Sequence, residues 1–241
     1  YLELGDGDEL YENRRLADIV QAYGNIFQYL NEFHKQGRLI YIWGNHNKQF
    51  GNEKWLSREL QRARSHISDL FPDLKVYETA LLGDKIFLFH GHQGDPMNDL
   101  FAFFSRFLVR TFWRPLQTGL GFRDPTSPAK NVRKRNKIEE KILEWAREHK
   151  MVAIAGHTHR PMFASLTKQQ RKAGQEEEPY YFNSGSGVHP RCVTCIEIYN
   201  MRIELAKWHT IAAADDERRL RVVRETLEGC SENLEKILSL L

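Results

Sequence analysis

Apolar positions Leu16, Ile19, Val20, Tyr23, Ile26, Phe27, Leu30 and Phe33 recur at intervals of three and four, which predicts one amphipathic helix over 13–36, ended by Gly37. Leu39 to Trp43 form an apolar run that opens at Gly44 into a polar loop, the pattern of a buried strand. The spacing of Leu56, Leu60, Ala63 and Ile67 predicts a second helix over 53–70, followed by two short strands around the turn Gly83-Asp84. MVAIA (151–155) and YYFN (180–183) read as two more buried strands. After Pro190 the pattern alternates, predicting an antiparallel hairpin joined near Tyr199 and Asn200. Leu220, Val223, Leu227, Leu234, Ile237 and Leu240 predict a helical tail over 215–241. Strands alternating with helices define an α/β chain with helices outside a sheet. The opening YLEL reads as the end of a strand emptying into an acidic loop, so Tyr1 is expected to be a cut into a longer protein.

The predicted strands share one habit: they end in loops rich in Asp, Asn, His and Gly. Asp6 follows the first, Asn45 and His46 the second, His90 and His92 another, and His157 and His159 the next. Two divalent cations about 3.5–4 Å apart need oxygen and nitrogen ligands from several strand ends, with one carboxylate able to bridge them. One carboxylate, one amide oxygen and three imidazoles make a partial set of that kind.

Size and charge narrow the picture further. The chain of 241 residues is long enough for one large core and is expected to form a single domain. With 35 Lys+Arg against 32 Asp+Glu the excess is only +3, which argues against nucleic acid as a partner. Three cysteines, Cys192, Cys195 and Cys230, supply no disulfide framework and fit a reducing, cytoplasmic setting. CVTC lies in an alternating β-run with no second CxxC, so its cysteines read as structural. No secretory leader and no run of 18 apolar residues occurs in the sequence, leaving a peripheral membrane contact as the expected limit.

LGDGDE (4–9), WGNHN (43–47), FHGHQGD (89–95) and AGHTHRP (155–161), in that order, resemble the motifs of the calcineurin-like metallophosphoesterases. The resemblance implies a four-layer αββα sandwich. It also implies two divalent metal ions, Mn²⁺ foremost with Fe or Zn as alternatives, and hydrolysis of a phosphoester or pyrophosphate bond. By it Asp6 bridges the metals, Asn45, His90 and His157 complete one of them, His159 serves the other, and His46 is the catalytic acid. Two departures stand out. No Asp-x-His element occurs, which implies that a first strand is missing or was cut away, and Asn47 stands where the family has an acid after GNH.

Residues 98–122 are rich in aromatics and precede the basic run NVRKRNK (131–137). Arg106, Arg110 and Arg114, spaced by four, share one face of a predicted helix, broadly opposite Phe101, Phe104, Leu108 and Phe112. An inserted helical cap over 98–137 resembles the UDP-2,3-diacylglucosamine pyrophosphatase branch, and implies a nucleotide-linked or lipid-linked phosphorylated substrate gripped by these arginines beside an anionic membrane face. Two rival readings stand beside this one. The first is a non-enzymatic protein-binding scaffold on a degenerate phosphoesterase domain, favoured by the missing Asp-x-His and by Asn47; the second is a phosphoprotein phosphatase. The tail is the expected place for an oligomer contact.

Overall fold

The computed structural model describes residues 1–94, 131–213 and 216–241. Within these, Tyr1–Ala80 with residues 89–94 form one compact unit, and Leu81–Leu88 with residues 131–213 and 216–241 form another. The architecture is mixed α/β.

The first unit holds a parallel sheet of β1 (Leu2–Glu3), β2 (Ile40–Ile42) and β3 (Val76–Tyr77), in the order β1-β2-β3 with Leu2 opposite Ile40 and Tyr41 opposite Val76. Its helices are α1 (Leu16–Ala22), α2 (Gly24–Lys35) and α3 (Glu53–Ala63). The single helix predicted over 13–36 is thus two. Tyr23 leaves the helical region at φ −124°, ψ 35°, and Gly24, which costs a helix interior about 1 kcal/mol, starts the next segment. Leu16, Val20, Phe27, Tyr41, Leu56, Leu60 and Phe71 meet in one buried cluster. The start of α1 carries no capping side chain of its own. Instead the buried carboxylate of Glu59 on α3 accepts the Leu16 N–H at 3.1 Å, and Arg62 one turn on pairs with the same carboxylate.

In the second sheet β4 (Thr79–Leu82), β5 (Ile86–Phe89), β6 (Val152–Ala155) and β7 (Tyr181–Asn183) lie in that order, with β5, β6 and β7 parallel. Helix α4 (Val132–His149) precedes β6 and buries Ile138, Ile142 and Ala146, three residues at spacings of four that form its inner stripe. Asn131 caps its first turn by accepting the Lys134 N–H at 3.0 Å, and Lys150 ends it in the left-handed conformation. Basic residues 132–137 therefore open α4, while residues 98–130 of the expected cap lie outside the described residues. A short α5 (Lys168–Lys172) begins with a capping box between Thr167 and Gln170.

A third sheet is antiparallel: β8 (Cys192–Tyr199), β9 (Arg202–Ala213) and β10 (Asp216–Asn233), in the order β10-β9-β8. The first two strands form the hairpin read from the alternating sequence. The helical tail expected over 215–241 is corrected: only α6 (Leu234–Ser239) is helical, and the rest is strand. Leu220, Val223 and Leu227 mimic helical spacing, but β-branched Val222, Val223 and Thr226 suit a pleated surface and β9 supplies a partner for each. No helix among the described residues is long and apolar enough to cross a membrane.

Candidate functional site

In the first unit, β1 runs into the turn Gly5-Asp6-Gly7-Asp8-Glu9, and β2 into Gly44-Asn45-His46-Asn47. These loops touch only because two positions lack a side chain. A methyl on Gly5 would lie 2.7 Å from both the Gly44 nitrogen and His90 Nδ1, and one on Gly44 would overlap the Asp6 carboxylate. Gly5 also sits at φ +95°, a region closed to most L-residues.

Here Asp6, Asn45, His46 and His90 come together. Asp6 Oδ2 is 2.9 Å from His90 Nε2, Asp6 Oδ1 accepts the His46 backbone N–H at 2.8 Å, and Asn45 Oδ1 is 3.2 Å from His90 Nε2. His90 Nδ1 faces the Leu4 carbonyl at 2.7 Å. A carbonyl only accepts, so Nδ1 carries the proton and Nε2 is turned toward two oxygens. Burial works to raise the Asp6 pKa, yet the charge and hydrogen bond of His90, with His46 beside it, hold that carboxyl well below the usual range.

His46 does not stand free as an acid. Its Nδ1 is 2.6 Å from Glu9 Oε2 and its ring lies 4.9 Å from that of Tyr11. Burial pulls its pKa down, but the Glu9 hydrogen bond and the charges of Asp6, Glu9 and Glu12 outweigh this and raise it to about 9. Glu3 and Asp8 are shifted upward as well, here by burial aided by neighbouring carboxylates, to about 7 and about 6. The Tyr41 hydroxyl donates to Asp8, and Tyr1 donates to Glu3 at 3.0 Å. Fully buried Asn47 accepts the Gly44 N–H at 2.6 Å, so it closes its own turn and does not steer a histidine. His92 is packed against Trp43, ring centroids 5.3 Å apart, as part of the interior.

In the second unit, His157 and His159 follow β6 on a loop where both take positive φ, 62° and 55°, around a fully buried Thr158. Thr158 donates to Glu139 of α4 at 2.9 Å, and Arg160 donates to the same carboxylate at 3.1 Å. Asn183, at the end of β7, donates to the Gly156 carbonyl at 2.7 Å and accepts the Gly185 N–H at 2.9 Å. Arg106, Arg110 and Arg114 lie outside the described residues.

The two-metal centre expected from the sequence is overturned. Among the described residues no group of His, Cys, Asp and Glu brings together the ligands of two ions. Near Asp6, Glu3 accepts the Tyr1 hydroxyl, Asp8 accepts the Tyr41 hydroxyl and Glu9 is held by His46. Paired divalent ions such as Mn²⁺ therefore do not fit these residues. The hydroxide they would generate, and the hydrolase and phosphatase activities built on it, fall with them.

No family model matches the chain, and no curated protein matches it. Among solved structures, a double mutant of Vps29 from Entamoeba histolytica is similar at 14% identity over 71% of this chain and 77% of that one, with a TM-score of 0.28.

Several residues that shape these loops were not singled out from the sequence. Glu9 sat in view inside LGDGDE, six residues that already showed more acids than one ligand needs. Glu139 gave no signal, since it follows a basic run on a helix and reaches the 157–159 loop only through the fold.

Proposed function

We propose that this chain is a non-enzymatic protein-binding scaffold built on a degenerate calcineurin-like phosphoesterase domain, with the αββα sandwich as its parent architecture. The observation that carries this reading is that no group of His, Cys, Asp and Glu among the described residues brings together the ligands of two ions. A binding role draws support from apolar side chains left in solvent. Tyr23, which caps the start of α2, and Ile26 and Tyr29 on that helix are 56%, 53% and 70% exposed. The three free cysteines suit a reducing, cytoplasmic environment.

The test combines catalysis and binding on the full chain. Phosphomonoester and phosphodiester substrates offered with Mn²⁺, Zn²⁺ or Fe²⁺ are expected to show no turnover that Asp6→Ala removes. A protein partner caught by a photo-cross-linker at position 26 is expected to be lost with Tyr23→Ala/Tyr29→Ala and kept with Asp6→Ala/His90→Ala. Metal-dependent hydrolysis abolished by Asp6→Ala would overturn the reading.

A further inference from the structure

Strand β10 is an edge. It pairs with β9 in regular register from Leu220 opposite Ala212 to Thr226 opposite Ala206, and no strand among the described residues pairs with its other side. An edge of this kind presents a row of backbone N–H and C=O groups to any strand of matching chemistry. Natural edges are usually blunted by lysine, proline or brevity. Here the edge carries Leu220 and Val222, 66% and 65% exposed, on the face that also bears the cross-strand pair Val193 and Trp208, 44% and 41% exposed. Past Thr226 the register shifts before Ser231, with Gly229 at φ +68° in the irregular stretch, so the regular edge ends there.

On one face of this edge Arg219 and Arg221 precede Val223 and Glu225 follows it, while Arg224 lies on the other face. A parallel neighbour of the same sequence would set like charges side by side. An antiparallel one sets them against their opposites: with Val223 on the two-fold axis, Arg221 of each strand faces Glu225 of the other. Glu225 is half exposed and is steadied on that face by His209 at 2.9 Å. We propose that β10 is a self-complementary edge through which two copies of this chain join, antiparallel and two-fold symmetric, extending the three-stranded sheet into a six-stranded one. On the opposite face the same pairing lays Val222 of each copy against the Arg224 stem of the other and Leu220 against Thr226, which takes both exposed aliphatic side chains out of water. Such an interface is isologous, and its specificity lies in the two reciprocal Arg221–Glu225 pairs.

The inference stands whether or not the scaffold reading holds. Its test is sedimentation equilibrium of the full chain over a wide concentration range, with circular dichroism to confirm that each variant is folded. A monomer–dimer equilibrium is expected. Arg221→Glu weakens it about tenfold or more, because two attractive pairs become repulsive. Arg221→Glu combined with Glu225→Arg restores it, since the reciprocal pairs re-form with signs exchanged. Leu220→Lys, at a position too exposed to matter for folding, also weakens it. A chain that stays monomeric throughout, including one that pairs only with a different protein at this edge, overturns the proposal. So does a dimer indifferent to Arg221→Glu and Leu220→Lys, or one that the double exchange fails to rescue.

Discussion

His46 Nδ1 and Glu9 Oε2 stand 2.6 Å apart, and this contact converts a loop histidine into a lasting positive charge. Its partner is the fourth acid of a nine-residue opening that also holds Glu3, Asp6 and Asp8. The cation answers that crowding of negative charge.

Glu9→Gln is expected to lower the His46 pKa from about 9 toward its ordinary value of 6.5, as read from ring-proton NMR shifts against pH. The folded protein binds this proton more tightly than the unfolded chain. The pair's stabilisation is therefore complete below 6.5 and is lost as pH rises through about 9. Both side chains are partly exposed, so it amounts to at most about 1 kcal/mol. An unchanged titration in the variant would show that Glu9 is not the cause.

Glu3 and Asp8 predict a loss of the same sign, beginning at lower pH. Their folded pKa values, about 7 and about 6, lie above the unfolded ones of 4.5 and 3.8, so the folded state holds extra protons between these limits. Stability is expected to fall as pH climbs through that window. Asp8→Asn, which keeps an acceptor for the Tyr41 hydroxyl, should flatten the fall. Thermal melting at a series of pH values measures both.

Glu59→Ala removes the acceptor of the Leu16 N–H at the start of α1 and the partner of Arg62. A loss of about 2 kcal/mol is expected in urea unfolding, whereas Glu59→Gln, which still accepts, should lose under about 1 kcal/mol. Equal losses in the two would mean that charge, and not capping, is what matters.

Arg224 ties three strands together. It donates to Glu197 of β8 at 2.9 Å and to Glu204 of β9 at 2.6 Å, while Trp208 donates to Glu197 at 2.8 Å. The Arg224 hydrogen bond is the chief cause of a Glu204 pKa lowered to about 2. That stabilisation is present above 4.5 and disappears as pH falls through about 2. Arg224→Met leaves Glu204 with Thr226, Ser231 and Arg202 as its remaining partners, and a loss of about 1–2 kcal/mol is expected at neutral pH, narrowing in acid. A deficit independent of pH would assign it to packing alone.

Much of the fold was legible because apolar spacing reports burial directly. Leu56, Leu60 and Ala63 lie inside α3, and the alternation after Pro190 became β8 and β9. The tail was misread because apolar spacing at Leu220, Val223 and Leu227 fits a helix as well as a strand, and only pairing with β9 chooses between them. For the site, Asp6, Asn45 and His90 were visible as strand-end polar residues and do converge. What could not be read was the state of each group. Whether an acid ligates, holds a proton or neutralises a histidine depends on burial and on neighbours distant in sequence, as with Asp6, Asp8 and Glu9.

The loop after β6 carries a mechanical consequence. Two β-carbon-bearing residues, His157 and His159, are wound left-handed on either side of Thr158, at about 1–2 kcal/mol each relative to relaxed backbone. Asn183 from the neighbouring strand and Glu139 from α4 hold them there like latches on a compressed spring. If either latch is cut, this segment recoils before the sheet beneath it melts, and its amide hydrogens become the earliest in the second unit to trade with deuterium.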